Sequence, residues 1–359
     1  MKKIKLIKGF LAFLCFLLAA ITMLYSLGRI FVPKWTQEDA MQTYMLRGLY
    51  AEEKNSIQVF TIGDSDVYRG VSPQVIYQKS GITSYSLSSS SQRMWQSYYF
   101  LKHALQYQKP EAVFLEVNAI RYSSGREIAM MHQYFDNMKL DSVKWEALQD
   151  PVFGFSLQEK LNFIFPIFEF HSRYKELKQE DVALAFGNLR NPEKGMAMSA
   201  AVYPYKGSMD YMNKKTGYFE MAENTREYLE KLTTLCEKEN IRLVLFKAPE
   251  PNNWRLSYHN SVASFAKEHD LPFLDFNMQE YIKTFDFKKD TMDKGTHLNI
   301  HGAEKLSSQM ADYMENVLKL EPIRDQTITA EYRKDNDQYK KDVKQAMKAW
   351  EKRRKMKAA

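Results

Sequence analysis

Five short strand-like runs, most of them continuously apolar and all separated by helical patterns, constrain this chain more than any other feature. They lie at residues 58–62, 82–87, 112–117, 241–246 and 272–276. A strand with one face in water alternates polar and apolar residues, and these runs do not, apart from 82–87, a short strand candidate with serines between its apolar residues. They predict strands buried on both faces, which is the pattern of a parallel sheet covered by helices on each side. Helices are expected over residues 72–80, 92–108, 224–240, 257–269 and 303–318. The second of these stops ahead of Pro110, as the backbone restriction before proline requires.

The alternation does not begin at the N-terminus. Lys2, Lys3, Lys5 and Lys8 precede an apolar run over residues 9–27, close to the ~20 residues that cross a bilayer core as a helix. The lysines predict a cytoplasmic N-terminus and a translocated body. A cleaved signal peptide is the rival reading, with small residues at Leu18-Ala19-Ala20. The run continues past that point to Leu27, which favours a retained anchor. The expectation is a single-pass cell-membrane protein with an anchor over 1–35 and a juxtamembrane segment over 36–55.

Charge follows the same division. Residues 1–34 carry +6 and residues 331–359 another +6; against +7 in all, that leaves −5 on the body. The basic balance belongs to the ends and is not a nucleic-acid signal. Cys15 and Cys236 lie in unrelated contexts, so no intramolecular disulfide is expected.

A main domain is expected over 56–320, with an insertion at 121–220 where the strand–helix alternation breaks. The insertion is rich in aromatic residues, including Phe153, Phe155, Phe163, Phe165, Phe168 and Phe170. It follows a strand that should end at the active face, so it is expected to cap the carboxyl edge of the sheet. Its aromatic residues read most simply as core. The tail at 321–359 is charged and helix-forming, with Trp350 as its lone large apolar anchor, and is expected to lie on the acidic body or a membrane surface.

Sites in parallel α/β sheets form beyond the carboxyl ends of the strands. Gly63-Asp64-Ser65 sits there after the first run, and Asp293 and His297 share a loop just before the last helix. A serine hydroxyl becomes a useful nucleophile when a base takes its proton and a third group orients that base. Ser65, His297 and Asp293 can fill those roles, with His301 and Asp290 as competing base and acid. His103, His132, His259 and His269 read as incidental. Asn118 ends the third run and offers a side-chain amide to an oxyanion, beside the Ser65 N–H. Ser88-Ser89-Ser90-Ser91 follows the second run and offers further donors.

Together, Gly63-Asp64-Ser65, the Ser88 loop, Asn118, and Asp293 with His297-Leu298-Asn299 and Gly302 resemble the four sequence blocks of SGNH/GDSL hydrolases. The resemblance spans roughly 56–120 and 222–318. It implies an α/β fold, a flavodoxin-like three-layer α/β/α sandwich, here with an inserted cap and one preceding transmembrane helix. It also implies a serine nucleophile with a histidine–aspartate base, and an oxyanion hole from Ser65, Ser88 and Asn118. Ser88 stands where the family has glycine, and the acid precedes histidine by four residues where most members have three.

With its anchor, the chain is similar to membrane-bound members that serve acylation of cell-surface polymers beside a membrane-bound O-acyltransferase. The expected activity is that of an extracytoplasmic esterase or O-acyltransferase acting on acyl esters of a cell-envelope polysaccharide or teichoic acid. No metal or organic cofactor is needed for it. His171, Arg173, Lys247 and Trp254 are candidates for binding an anionic polymer. The alternative is a non-catalytic scaffold of the same fold that binds the acyltransferase and its polymer.

Overall fold

The computed structural model describes residues 2–33, 40–123, 128–187, 190–213 and 216–358. Parts of the expected juxtamembrane segment (36–39) and of the insertion (124–127, 188–189, 214–215) lie outside the described residues. Strands β1 (Val59–Gly63), β2 (Ser84–Ser88), β3 (Ala112–Glu116), β4 (Arg242–Lys247) and β5 (Phe273–Asp275) form one sheet in the order β2-β1-β3-β4-β5. All neighbouring pairs are parallel. Register brings Gly63 opposite Ser88, and Glu116 opposite Phe246. Strand order therefore reverses between β2 and β3 on either side of β1, which makes the carboxyl end of β1 the place where connections diverge and a crevice opens.

Both faces of the sheet are buried, as the apolar runs predict, and so are the serines of β2. Phe60, Ile62, Val113, Leu115, Leu243 and Leu245 point to one side, where Trp95, Phe100, Leu229, Val262 and Phe265 pack from the helices Met94–Ala104, Glu223–Lys238 and Leu256–Glu268. Val59, Phe114, Val244 and Phe246 point to the other side and meet Val67, Ile76, Leu306, Met310 and Met314. Those come from the helices Ser65–Gly70, Pro73–Ser80 and Ile300–Asn316. Local sequence explains the helix ends. Ser72 accepts from Val75 N at 3.3 Å, and Gly81 closes the same helix at φ +70°, where a residue without Cβ is at ease.

A 30-residue helix, Lys2–Phe31, precedes the body and extends for about 45 Å. It is long and apolar enough to cross a membrane or to serve as a signal sequence. Its large apolar side chains are exposed from Ile4 to Met23, whereas Gly28 is buried. A Cβ at Gly28 would stand 2.9 Å from Pro166 Cδ, so glycine permits this close approach. Arg173 donates to the terminal carbonyl of Phe31 at 2.6 Å.

These contacts relocate much of the insertion. Its helices Ile167–Phe170 and Gln179–Phe186 pack against the N-terminal helix. Phe135, Phe153, Phe155 and Phe163 stack together with centroids 4.8–5.5 Å apart, and Phe153 and Phe163 join the main core. Among the described residues of the insertion, the stretch over 196–205 runs beside the carboxyl edge, and Tyr211 reaches Asn277 there at 2.8 Å.

The tail is a single helix, Gln326–Ala358. Its first half is built into the body. Tyr332 and Tyr339 are buried, and Asp335 pairs with buried Lys194 at 2.7 Å. Trp350 meets Tyr203 edge-on at 5.3 Å. The two cysteines are free.

Candidate active site

The first strand delivers the nucleophile candidate. Beyond Gly63 the chain turns into the helix Ser65–Gly70, capped by Asp64, whose carboxylate accepts from Asp66 N at 3.0 Å. Gly63 is required by space, because a Cβ there would meet Glu116 Cβ at 2.5 Å and Val67 Cγ2 at 2.7 Å. Ser65 is half-buried, and its Oγ lies 2.8 Å from His297 Nε2. The other imidazole nitrogen, Nδ1, lies 2.5 Å from Asp293 Oδ2. Asp293 Oδ1 accepts from the backbone of His297 at 2.7 Å and of Thr296 at 3.1 Å.

This loop folds on itself through Thr291, whose hydroxyl donates to the His297 carbonyl at 2.9 Å and accepts from Gly295 N at 2.8 Å. Gly295 takes φ +102°, which a side chain would strain. The four-residue spacing from Asp293 to His297 thus forms a closed acid–imidazole pair. Asp290 is elsewhere, pairing with Lys305 at 2.5 Å. His301 sits in the first turn of the last helix, where its N–H donates to the Asn299 cap at 3.0 Å.

Electrostatics suit a base. Burial disfavours the imidazolium, but the Asp293 hydrogen bond and the charges of Asp66, Asp293 and Asp64 prevail and raise His297 above its ordinary pKa. Burial acts to raise Asp293, and the His297 contacts outweigh it, leaving Asp293 lowered. Each partner therefore favours the charged form of the other. His297 keeps 23% side-chain exposure, so a bound molecule can reach it.

Beneath the serine turn is a buried ionic cluster. Lys247, at the end of β4, donates to Asp66 and lies 3.1 Å from Glu116 and 3.0 Å from Glu250. All four are buried. Burial raises Asp64, Asp66 and Glu116, while the surrounding carboxylates hold Lys247 protonated against its own burial. Asp64, Asp66 and Glu116 are close enough to share a cation, with ligand oxygens within 4.8 Å of one another. The Lys247 ammonium supplies positive charge at that place.

Asn118 follows β3. Its backbone N–H donates to Glu116 at 2.8 Å and its side-chain amide to Asp64 at 2.9 Å. Ser88 lies at the end of β2, with its N–H directed to the Met45 sulfur at 2.7 Å. Of the three expected oxyanion donors, the Ser88 N–H and one N–H of the Asn118 amide are thus engaged with protein acceptors.

Among the expected polymer-binding residues, Lys247 and Trp254 do not line a cleft. Trp254 is buried, its indole N–H donating to Asp275 at 2.8 Å. Arg173 is taken up by Phe31 and by Asp181 at 3.5 Å. His171 is exposed, with its ring against the Phe168 carbonyl at 3.2 Å. Both lie in the part of the insertion that packs on the N-terminal helix, not in the Ser65 turn or the His297 loop.

Sequence reasoning missed two features. Asp66, beside the nucleophile candidate, and Glu250 complete the Lys247 cluster; a lysine ending an apolar strand was the available signal, because a buried lysine needs carboxylate partners. The second feature is the strap over 197–203. Ala197 N donates to Tyr68 O at 2.6 Å, and Ile300 N to Ser199 O at 2.9 Å. Tyr203 N donates to Thr291 O at 3.1 Å, and Lys294 N donates to Tyr203 O at 3.0 Å. The strap ties the serine helix to the histidine loop. Compared with known proteins, the chain matches no family model and no curated protein sequence.

Proposed function

We propose that this protein is a membrane-anchored serine esterase or O-acyltransferase of the SGNH/GDSL type, acting on acyl esters of a cell-envelope polysaccharide or teichoic acid. One observation carries the reading: His297 stands between Ser65 and Asp293, at 2.8 Å from one and 2.5 Å from the other. In this scheme Ser65 Oγ attacks the acyl carbonyl as its proton passes to His297 Nε2. The imidazolium, held by Asp293, returns that proton to the departing alcohol oxygen, leaving the acyl group on Ser65. Water or a sugar hydroxyl then attacks the acyl-enzyme, with His297 again as base. The 2-1-3-4-5 strand order is the flavodoxin-like order, in keeping with the proposed family.

A fluorophosphonate probe tests the nucleophile. The full-length protein should be labelled, Ser65→Ala should not, and Ser89→Ala should be labelled like the wild type. Equal labelling of wild type and Ser65→Ala would sink the assignment.

One observation favours the second reading, a non-catalytic scaffold that binds a membrane-bound O-acyltransferase and its polymer. The Ser88 N–H and one N–H of the Asn118 amide already have acceptors in Met45 and Asp64, so an oxyanion would have to displace Met45 or rely on the second Asn118 N–H. Absence of both labelling and ester turnover in the wild-type protein would support that reading.

A further inference from the structure

Between residues 344 and 355 the tail helix carries six cations, Lys344, Lys348, Lys352, Arg353, Arg354 and Lys355, against one acid, Glu351. All six are exposed. The body is acidic overall, yet none of the six pairs with a carboxylate among the described residues. Lys344, Lys348, Lys352 and Lys355 share one face of the helix, over about 17 Å of its axis. Like charges one turn apart repel and weaken a helix. A bound chain of negative charges would relieve that repulsion.

Packing leads this basic face to the candidate active site. Tyr332 donates to Ser84 O at 3.2 Å, where β2 begins. Ser72 donates to Tyr339 at 3.1 Å, at the far end of the Pro73–Ser80 helix. Val343 packs on the Met196 and Ala303 cluster, and Trp350 meets Tyr203. The tail thus crosses from the edge where the strands begin to the edge where they end, and docks on the strap. Tyr203 is bonded through its backbone to Thr291 and Lys294 of the His297 loop. Lys294, three residues before His297, is exposed as well and adds a cation next to the site.

The N-terminal helix meets the body elsewhere. Its Tyr25 lines a recess with Tyr50, and Tyr50 packs on Tyr107 with centroids 5.0 Å apart, in the turns that lead into β1 and β3. Tyr25 and the basic end of the tail therefore stand at opposite edges of the sheet, which favours a polymer over the bilayer as the partner of the tail.

We propose that the tail helix from Lys344 to Lys355, with Lys294, binds an anionic envelope polymer and leads it to Ser65. The substrate is then a chain with regularly spaced negative charges, an assignment that rests on the acyl-ester reading of the site. Lysines act as point charges on flexible stems, which suits a chain that must slide, and a basic surface beside a crevice raises the local concentration of an anionic substrate.

Fluorescence anisotropy of a labelled polyglycerol phosphate chain, with the full-length protein in phosphatidylcholine nanodiscs, tests it. The wild type should bind this chain and not a neutral dextran of the same length. Lys344→Gln, Lys348→Gln, Lys352→Gln and Lys355→Gln combined should weaken binding at least about tenfold and flatten its decline with added salt, because each charge neutralised on a polyanion releases a counterion. Lys344→Arg, Lys348→Arg, Lys352→Arg and Lys355→Arg combined should retain binding, which separates charge from helix structure. Undiminished binding by the glutamine variant, or equal binding of dextran, would overturn the proposal. Tighter binding of phosphatidylglycerol vesicles than of the polymer, lost in the glutamine variant, would assign the tail to a membrane and overturn it too. Fluorophosphonate labelling of the wild type reports on Ser65 separately. Labelling without polymer binding would remove this inference alone, and polymer binding without labelling would remove the acyl chemistry alone.

Discussion

The Lys247 ammonium donates to the carboxylate of Asp66, the residue directly after Ser65. Through that bond the end of β4 holds the first turn of the serine helix, and Glu116 at the end of β3 joins it at 3.1 Å. Three strands, β1, β3 and β4, are thereby fastened at their carboxyl ends by one buried charge. Such a cluster sets geometry more than it adds stability, because the desolvation of its members offsets much of their attraction.

Removing the cation should therefore be harmful. Lys247→Met is expected to destabilise the protein by about 3–5 kcal/mol, the range for stripping a buried charge of its partner. Adding Asp66→Asn should recover part of that loss, since the pair is coupled. Thermal unfolding of the full-length variants measures both. An unchanged transition in Lys247→Met would show that the cluster does not hold the turn.

The two candidate histidines are separable. His297→Ala should reduce acyl-ester turnover about as severely as Ser65→Ala, because members of one catalytic unit are non-additive. His301→Ala should stay within about threefold of wild type, a change of under 1 kcal/mol, since its backbone belongs to the Asn299 cap. Hydrolysis of p-nitrophenyl acetate distinguishes them. A dead His301→Ala beside an active His297→Ala would reverse the roles and displace Asp293 with them.

Much of this arrangement was legible in the chain. All five strands were placed within two residues of their ends, four of them because a strand buried on both faces reads as a nearly continuous apolar run; β2 (Ser84–Ser88) is buried too but alternates serine with apolar residues. Ser65, His297 and Asp293 could be read as a set because each follows a strand or precedes a helix at the same edge of the sheet. Contacts between distant segments were not legible. Nothing in the local pattern around Phe168 or Arg173 says that the insertion packs on the N-terminal helix, and Lys247 reads as an exposed base until Asp66, Glu116 and Glu250 are brought around it. The strap over 197–203 has no periodicity of its own, since its hydrogen bonds go to other elements.

The pH dependence follows from the direction of the His297 shift. A general base works in its neutral form, so turnover should be low at acid pH and rise through a limb placed above the ordinary histidine value of ~6.5. Asp293→Asn removes the hydrogen bond and a charge that raise His297. The limb should move to lower pH while the plateau falls on the order of 10²–10⁴. A pH–rate profile of the two proteins checks both changes. A limb that stays in place in Asp293→Asn would mean that another group titrates.

Orientation is the last expectation. Lys2, Lys3, Lys5 and Lys8 precede the apolar segment, and juxtamembrane lysines are retained on the cytoplasmic side. A reporter fused after Ala359 should therefore be active only if it functions outside the cytoplasm. Sequencing the mature N-terminus distinguishes an anchor from a signal peptide. The packing of Gly28 on Pro166 and the bond from Arg173 to Phe31 lie beyond a cleavage point near residue 21, so processing there would spare them while releasing the body from the bilayer. An intact N-terminus in the membrane fraction is the expected result. A reporter active in the cytoplasm would remove the envelope polymer as substrate, whatever the chemistry at Ser65.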